Sequence, residues 1–508
     1  MKHAQNIKSK ALFLLIIFNT NVAIGSIEIK QDWGEGTANF SNAHPLNNGN
    51  GKYDHWQSIG RVKINNGLTC SGTLIDTRST TDEQDGPAYV LTSGHCTNLN
   101  DDKVLENVDT TGQVIFNYFQ DTIESSKPYQ VIRINWSTIR GQDISILQLD
   151  QTIGQLISDG VRPLKLASKL PVEDDVLIVG APQSSHVQRI ACPREESTSV
   201  IEGSWAWHEQ IVSRCLDVVG GISGSPLLGR YNNEILAVVG TTTWGSGQSV
   251  CFRGSPCEVV EGQVNKKPGT NYATQATGLL ECFDGGQFNR QNTACPLGPA
   301  FTFATMLPTD LHIKLERDSS GQVIPWLWTQ TFEVDRPFYR YKFTRTLEEC
   351  AVTSGYSEAF KSNTSGHNEW RRELRDGAGM YLLCIIGQDQ KSVAPGPFDA
   401  RNAKIHWRWM MEEPNEFIPV YSINGPYESF FYVIRAYPAT PYLDAYKYQY
   451  KAGPSGETDC LDEQEYKEVP GSIGTFVVNV EGGPMKVCLK TEDMAGNPSP
   501  VAEFQLPE

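Results

Sequence analysis

The chain has 508 residues, too many for one ordinary hydrophobic core, so several domains are expected. Its composition, 39% hydrophobic and 20% charged with 45 Gly and 28 Pro, is that of a globular chain favouring strands and turns over long helices. A formal net charge of −16 without clustered Lys and Arg argues against a nucleic-acid-binding surface.

At the start of the chain, Lys2, Lys8 and Lys10 precede the apolar run Ala11 to Phe18, and Ala23-Ile24-Gly25 supplies small residues at a cleavable spacing. Residues 1–25 therefore read as a signal peptide, with a mature chain beginning near Ser26. The apolar run falls short of the roughly 18 residues a spanning helix needs, and no later segment is apolar enough to span a bilayer. The 12 cysteines form an even set, for which disulfides are the default in a chain that leaves the reducing cytosol. The expected location is secreted, in the extracellular or cell-envelope space.

Residues 26–55, rich in Gly, Asn and polar side chains, read as an irregular lead or pro-segment. Short alternating runs follow: Ser58 to Ile64, Thr69 to Ile75, Tyr89 to Thr92, Val114 to Phe119, Val131 to Trp136 and Ile144 to Leu149. These suit a small barrel. A second series includes Val176 to Gly180, Gln210 to Arg214, Pro226 to Leu228 and Ile235 to Trp244, so residues 56–305 are expected to hold two β units.

Three segments in this region carry chemistry: Leu91-Thr92-Ser93-Gly94-His95-Cys96, Gln142-Asp143-Ile144-Ser145-Ile146-Leu147 and Gly220-Gly221-Ile222-Ser223-Gly224-Ser225-Pro226. Acyl transfer by a serine needs a base for the hydroxyl proton, an acid to orient that base, and donors for the oxyanion. His95, Asp143 and Ser223 are the candidates, and the glycines around Ser223 allow a sharp turn that aims backbone amides at one point.

With Thr69-Cys70-Ser71-Gly72-Thr73-Leu74-Ile75 ahead of them, these segments resemble chymotrypsin/trypsin-like serine proteases, and the Gly-Ser-Pro ending resembles bacterial secreted members. The resemblance implies a double β-barrel with His95 as general base, Asp143 as its orienting acid and Ser223 as nucleophile. It also implies an oxyanion hole from the amides of Gly221 and Ser223, and a Cys70–Cys96 disulfide. Ser225, before Pro226, fits a structural role. Ile222 stands where animal trypsins carry an aspartate, and no Ile-Val-Gly-Gly start precedes Trp56, so activation is not expected to use an inserted amino terminus.

By the same resemblance, Asp217 is the expected pocket acid, which would favour cleavage after basic residues; the alternatives are an Asp217 that caps a turn and a small or apolar preference. Thr243-Trp244-Gly245 resembles the substrate-pairing edge strand of the family, and Cys251 and Cys257 are expected to shape a pocket-side loop. Of Cys192, Cys215, Cys251, Cys257, Cys282 and Cys295, the pairing Cys192 with Cys215 is favoured, the rest being open. The acidic residues Asp101, Asp102, Glu106 and Asp109 read as solvated loop rather than a calcium site. No metal or other cofactor is expected.

Beyond residue 305 the chain repeats itself. Tyr339-Arg340-Tyr341-Lys342-Phe343 matches Tyr446-Lys447-Tyr448-Gln449-Tyr450, each followed by a cysteine pair, Cys350 with Cys384 and Cys460 with Cys488, and then by Asp389 and Asp493. Residues 306–415 and 416–508 are thus expected to be two immunoglobulin- or fibronectin-like β-sandwiches with one disulfide each. Trp326, Trp328, Trp407 and Trp409 read as packed core, with a ligand-binding face as the alternative.

The fold class expected is mainly β, a chymotrypsin-like double barrel followed by two sandwich modules. The function expected is that of a secreted serine endopeptidase acting on protein or peptide substrates, its modules holding it to a surface or matrix ligand. The alternative, from a different class, is an adhesin or binding protein on an inactive protease fold; the intact His95, Asp143 and Ser223 segments weigh against it.

Overall fold

The computed structural model describes residues 40–507 except 65–67, 82, 100–102, 173–174, 244–250, 253, 298–300, 306–310, 364–365, 413–417, 429, 438–444, 470–473 and 481. The segment expected to be a signal peptide and most of the expected lead lie outside these residues.

Strands Ile59–Ile64, Thr69–Ile75, Pro87–Thr92, Ile144–Thr152, Pro128–Thr138 and Leu105–Ile115 form a closed barrel in that order. Alternate residues such as Val62, Leu74, Val90, Val114 and Leu147 point inward to one core, as the two-residue period of a strand requires. The strand expected at Val114 to Phe119 runs instead over Leu105–Ile115. Its first half is a solvated ribbon bearing Glu106, Asp109, Thr110 and Thr111, so it lacks the apolar alternation that marks half-buried strands. There Asp109 pairs with Arg133 (2.9 Å) and Glu106 with Arg290 (2.8 Å).

A second sheet runs Ser41–Pro45, Gln188–Glu202, Trp205–Ser213, Asn271–Gln275, Ile235–Thr242, Pro226–Gly229, Asp175–Gly180, and its last strand pairs back onto Gln188–Glu202. Six of these strands therefore close a second barrel. Ser41–Pro45 lies in the stretch expected to be irregular; its ladder partner Gln188–Glu202 is remote in sequence and supplies the hydrogen bonds that no local pattern announces. Between the barrels, Trp56, Leu91, Trp136 and Ile146 from one side meet Leu177, Val179, Leu228 and Val238 from the other in a single buried cluster.

Two sandwiches follow. In the first, Trp326–Val334 and its neighbours face a sheet containing Gly379–Gln388 and Lys404–Glu412, with Trp328, Phe332, Tyr381 and Leu383 between them. Strand Phe303–Thr305 pairs with Trp326–Val334, so this sandwich takes up residues ahead of 306. In the second, Phe431–Tyr437 and Ala445–Pro454 lie in opposite sheets over a core of Ile434, Phe476, Val487 and Leu489. Trp328 and Trp407 are buried.

The first sandwich is fused to the second barrel rather than tethered to it. Ile201, Ala206 and Val259 share one core with Leu347, Met380, Leu382, Ile405 and Trp407. Backbone hydrogen bonds cross the join, from Leu347 N to Val259 O (2.9 Å), from Gly262 N to Arg345 O (2.7 Å) and from Met380 N to Gly262 O (2.8 Å). All 12 cysteines are bonded: Cys70–Cys96, Cys192–Cys215, Cys251–Cys257, Cys282–Cys295, Cys350–Cys384 and Cys460–Cys488. Among the described residues no helix is long and apolar enough to cross a membrane.

Candidate active site

His95 occupies a single helical turn, Gly94–Cys96, directly after strand Pro87–Thr92. Only glycine fits before it, since a Cβ on Gly94 would stand 1.8 Å from the Thr138 carbonyl oxygen. The Cys70–Cys96 bond ties this turn to strand Thr69–Ile75, and Ser93 Oγ donates to the Val239 carbonyl (2.9 Å) across the barrel interface. The imidazole is thus held from both barrels.

Asp143 opens strand Ile144–Thr152 and is buried. Its Oδ2 lies 2.7 Å from His95 Nδ1, and its Oδ1 accepts the His95 backbone N–H at 2.9 Å. One carboxylate therefore fixes both the ring and the backbone that carries it. With the carboxylate accepting at Nδ1, the proton sits there and Nε2 is left as a base.

Ser223 stands in a turn between Gly221 (φ +88°) and Gly224 (φ +85°), conformations that favour residues without a Cβ. Ser71 of the first barrel grips this turn twice: its N–H donates to the Ser223 carbonyl (2.8 Å) and its Oγ to the Gly221 carbonyl (3.0 Å). The Gly220 carbonyl accepts from Gln183 N (3.1 Å). In a trans peptide the carbonyl and the next N–H point oppositely, so this bond turns the Gly221 N–H away from Gln183. Among the described residues neither the Gly221 nor the Ser223 amide is taken up by a backbone hydrogen bond, whereas those of Ile222, Gly224 and Ser225 are.

The Ser223 hydroxyl donates to the Gly240 carbonyl (3.3 Å), and a Cβ on Gly240 would stand 2.9 Å from Asp143 Oδ2. Gly240 is thus the common neighbour that brings Asp143 and Ser223 together. His95, Gly221 and Ser223 line one cleft of about 280 Å³ between the barrels.

Other expected site residues fall elsewhere. Asp217 is exposed, in the left-handed region (φ +60°), and its Oδ2 accepts from Ala43 N (3.2 Å); the cleft wall begins at the next residue, Val218. Asp217 is therefore corrected from pocket acid to turn residue, because the loop between Cys215 and Ser223 carries it outward onto the amino-terminal strand. Thr243 is fully buried, bonded to Thr270 and Gly269, and among the described residues Val239, Gly240, Thr241 and Thr242 line the wall ahead of it. Trp244 and Gly245 lie outside the described residues. Ser225 is buried beside Gly180, below the turn.

Sequence reasoning missed Glu202, Trp205 and Trp207, which line the cleft from the hairpin of Gln188–Glu202 and Trp205–Ser213. The alternation Trp205-Ala206-Trp207 was the available signal. Burial pushes the Glu202 carboxyl above the ordinary carboxylate range, and the charge of Asp143 adds to this; the Gly254 amide, Thr241 and His95 oppose it.

The paired barrels thus bring an Asp–His pair and a serine in a glycine turn to one cleft. Residues 70–238 match the family model of the trypsin-like peptidase domain, and the chain carries that domain. Among solved structures it is similar to AL20, a thermostable serine protease from an extremophilic microorganism, at 12% identity over 44% of this chain and 92% of that one (TM-score 0.30). It is also similar to the protease Anisep from Arthrobacter nicotinovorans, at 14% identity over 43% and 90% (TM-score 0.28). A two-domain fibronectin type III segment of chicken tenascin is similar at 13% identity over 39% and 98% (TM-score 0.17). No curated protein matches the chain.

Proposed function

We propose that the protein is a secreted serine endopeptidase that hydrolyses peptide bonds through Ser223, His95 and Asp143. The observation that carries this reading is the Asp143 carboxylate bonded to both the ring and the backbone of His95, beside Ser223 in one cleft. The Ser223 hydroxyl swings from the Gly240 carbonyl toward Nε2 of His95, gives up its proton there and attacks the substrate carbonyl carbon. The amides of Gly221 and Ser223 receive the oxyanion, and protonated His95 then delivers its proton to the leaving amine. Water repeats the cycle in reverse to release the acid product.

Asp143 does not change protonation in this scheme; its negative charge holds the tautomer and stabilises the transient imidazolium. Bonding of all 12 cysteines fits an oxidising compartment, which supports export. The second sandwich, with its own core, is the module free to hold a surface or matrix ligand. Hydrolysis of a peptide library by protein beginning at residue 26, with Ser223→Ala alongside, tests the reading. Cleavage absent from Ser223→Ala supports it; cleavage unchanged in that variant overturns it.

A further inference from the structure

Arg61 stands in strand Ile59–Ile64 of the first barrel, directly across the ladder from Ser71, the residue that grips the serine turn. Its side chain is half-buried and reaches over to the second barrel. Nη2 donates to the Pro182 and Ser185 carbonyls, at 2.6 Å each, and the guanidinium carbon lies 4.3 Å from the centre of the Tyr118 ring. Tyr118 in turn stacks on His186. Hydrogen bonds from a cation to carbonyls are stronger than those between neutral groups, and the planar guanidinium can make them while lying on a ring face.

Both carbonyls belong to the loop of residues 181–187, which joins Asp175–Gly180 to Gln188–Glu202. Among the described residues its backbone makes one internal hydrogen bond, from Ser185 N to the Pro182 carbonyl (3.2 Å). The loop therefore takes its shape from outside partners. Ser71 Oγ accepts from Ala181 N (2.9 Å) at one end, the Tyr118 carbonyl accepts from Val187 N (2.9 Å) at the other, and Arg61 holds the middle.

Gln183 lies in that middle, lines the cleft, and gives its N–H to the Gly220 carbonyl (3.1 Å). The peptide so held joins two glycines. A Cβ on Gly220 would meet nothing within 4 Å, and Gly221 has φ +88°. Turning this peptide plane changes ψ of Gly220 and φ of Gly221, which glycine tolerates over a wide range. Backbone preference alone thus leaves the direction of the Gly221 N–H open, and the bond from Gln183 fixes it.

We propose that Arg61 is a positioning residue for the oxyanion site: by holding the Pro182 and Ser185 carbonyls it sets Gln183 N–H against the Gly220 carbonyl and keeps the Gly221 N–H aimed into the cleft. The proposal rests on the peptidase reading above. Arg61 touches no reacting atom, so its effect belongs to the transition state, in which the oxyanion forms, and not to binding of the uncut peptide.

The test uses full-length protein, Arg61→Met and Arg61→Lys, with a well-cut peptide from the library, its aldehyde and its alcohol. The aldehyde adds the Ser223 hydroxyl to form a tetrahedral hemiacetal whose oxygen occupies the oxyanion site; the alcohol binds without forming a bond. Arg61→Met should lower kcat by about 10²-fold with KM little changed, and weaken the aldehyde, relative to the alcohol, by tenfold or more. Arg61→Lys should recover part of both, since an ammonium also donates to carbonyls. Hydrogen exchange of residues 181–187, read by mass spectrometry, should quicken in Arg61→Met. An unchanged kcat, equal weakening of aldehyde and alcohol, or unchanged exchange in Arg61→Met overturns the proposal. If wild type neither cuts peptides nor takes up the aldehyde, the peptidase reading falls, while faster exchange in Arg61→Met still upholds the grip of Arg61 on the loop.

Discussion

The indole nitrogen of Trp407 donates to the carbonyl of Gly203 at 2.9 Å, tying the first sandwich to the hairpin tip that follows Glu202. Glu209 on the same hairpin pairs with Arg401 (2.7 Å), and the Arg401 carbonyl abuts Gly141, two residues before Asp143. The sandwich therefore braces both the cleft wall and the loop leading to the acid of the site.

Removal of residues 306–508 should accordingly damage the peptidase unit rather than release it. The cut exposes Ile201, Ala206 and Val259, whose partners are Leu347, Met380, Leu382 and Trp407. We expect the melting temperature to fall by about 5 °C or more and cleavage to fall with it. Removal of residues 418–508 alone leaves that core whole and should change neither by much. Thermal unfolding followed by circular dichroism checks both.

Substitutions in the site should separate by role. Ser223→Ala and His95→Ala should each lower kcat by about 10³-fold or more, with little change in melting temperature. Asp143→Asn should also cost about 10³-fold or more, because an amide oriented by the His95 backbone N–H no longer selects the Nδ1–H tautomer. Single-turnover kinetics on a peptide ester would reveal which step each variant slows.

Gly221→Ala should be harmful in two ways. The φ of +88° strains any L side chain, and the new Cβ would fall 2.3 Å from the Gln183 amide nitrogen. The turn must shift and carry the Gly221 N–H off the oxyanion position, so a loss of about 10²-fold in kcat is expected. Unchanged KM for a substrate that dissociates quickly would locate the loss in the transition state.

Stability should fall in mild acid because of buried histidines. Burial, then the charge of Arg401, lowers His208 to about 4, and burial lowers His312 to about 4 despite the opposing charge of Asp493. Their folded values lie below the unfolded value of about 6.5, so between these the unfolded chain binds more protons. Stability is full above pH ~6.5 and is lost as pH falls toward ~4, on the order of 3 kcal/mol for each histidine. His208→Gln should flatten part of this dependence in urea titrations across that range.

Glu202 has the opposite sign. Its folded value is raised, so its contribution is largest below the unfolded carboxylate range and is lost as pH rises. Glu202→Gln should thus stabilise the protein at pH 7 to 8 and gain little near pH 4. Equal effects at both pH values would contradict this account.

The residues of local chemistry were legible in the chain. Gly94-His95-Cys96 and Gly221-Ile222-Ser223-Gly224 stand out because a tight approach or a left-handed turn permits glycine there and little else. Alternation marked the barrel strands wherever one face is buried, and failed over the first half of Leu105–Ile115, a solvated ribbon ahead of the buried Val114. The pocket was less legible: Asp217 has a suggestive place in the chain but turns outward to Ala43, whereas Glu202 has no motif and turns inward.

By itself, then, the sequence determined the class of fold, the cysteine pairs of the repeats and the three residues proposed for acyl transfer, because each rests on interactions that short segments encode. The tertiary structure alone decided which carboxylate faces the cleft and the fusion of the first sandwich to the second barrel. Those depend on ladders and packed faces joining residues far apart in the chain, such as Val259 with Leu347 and Gly203 with Trp407, whose pairing no local pattern carries.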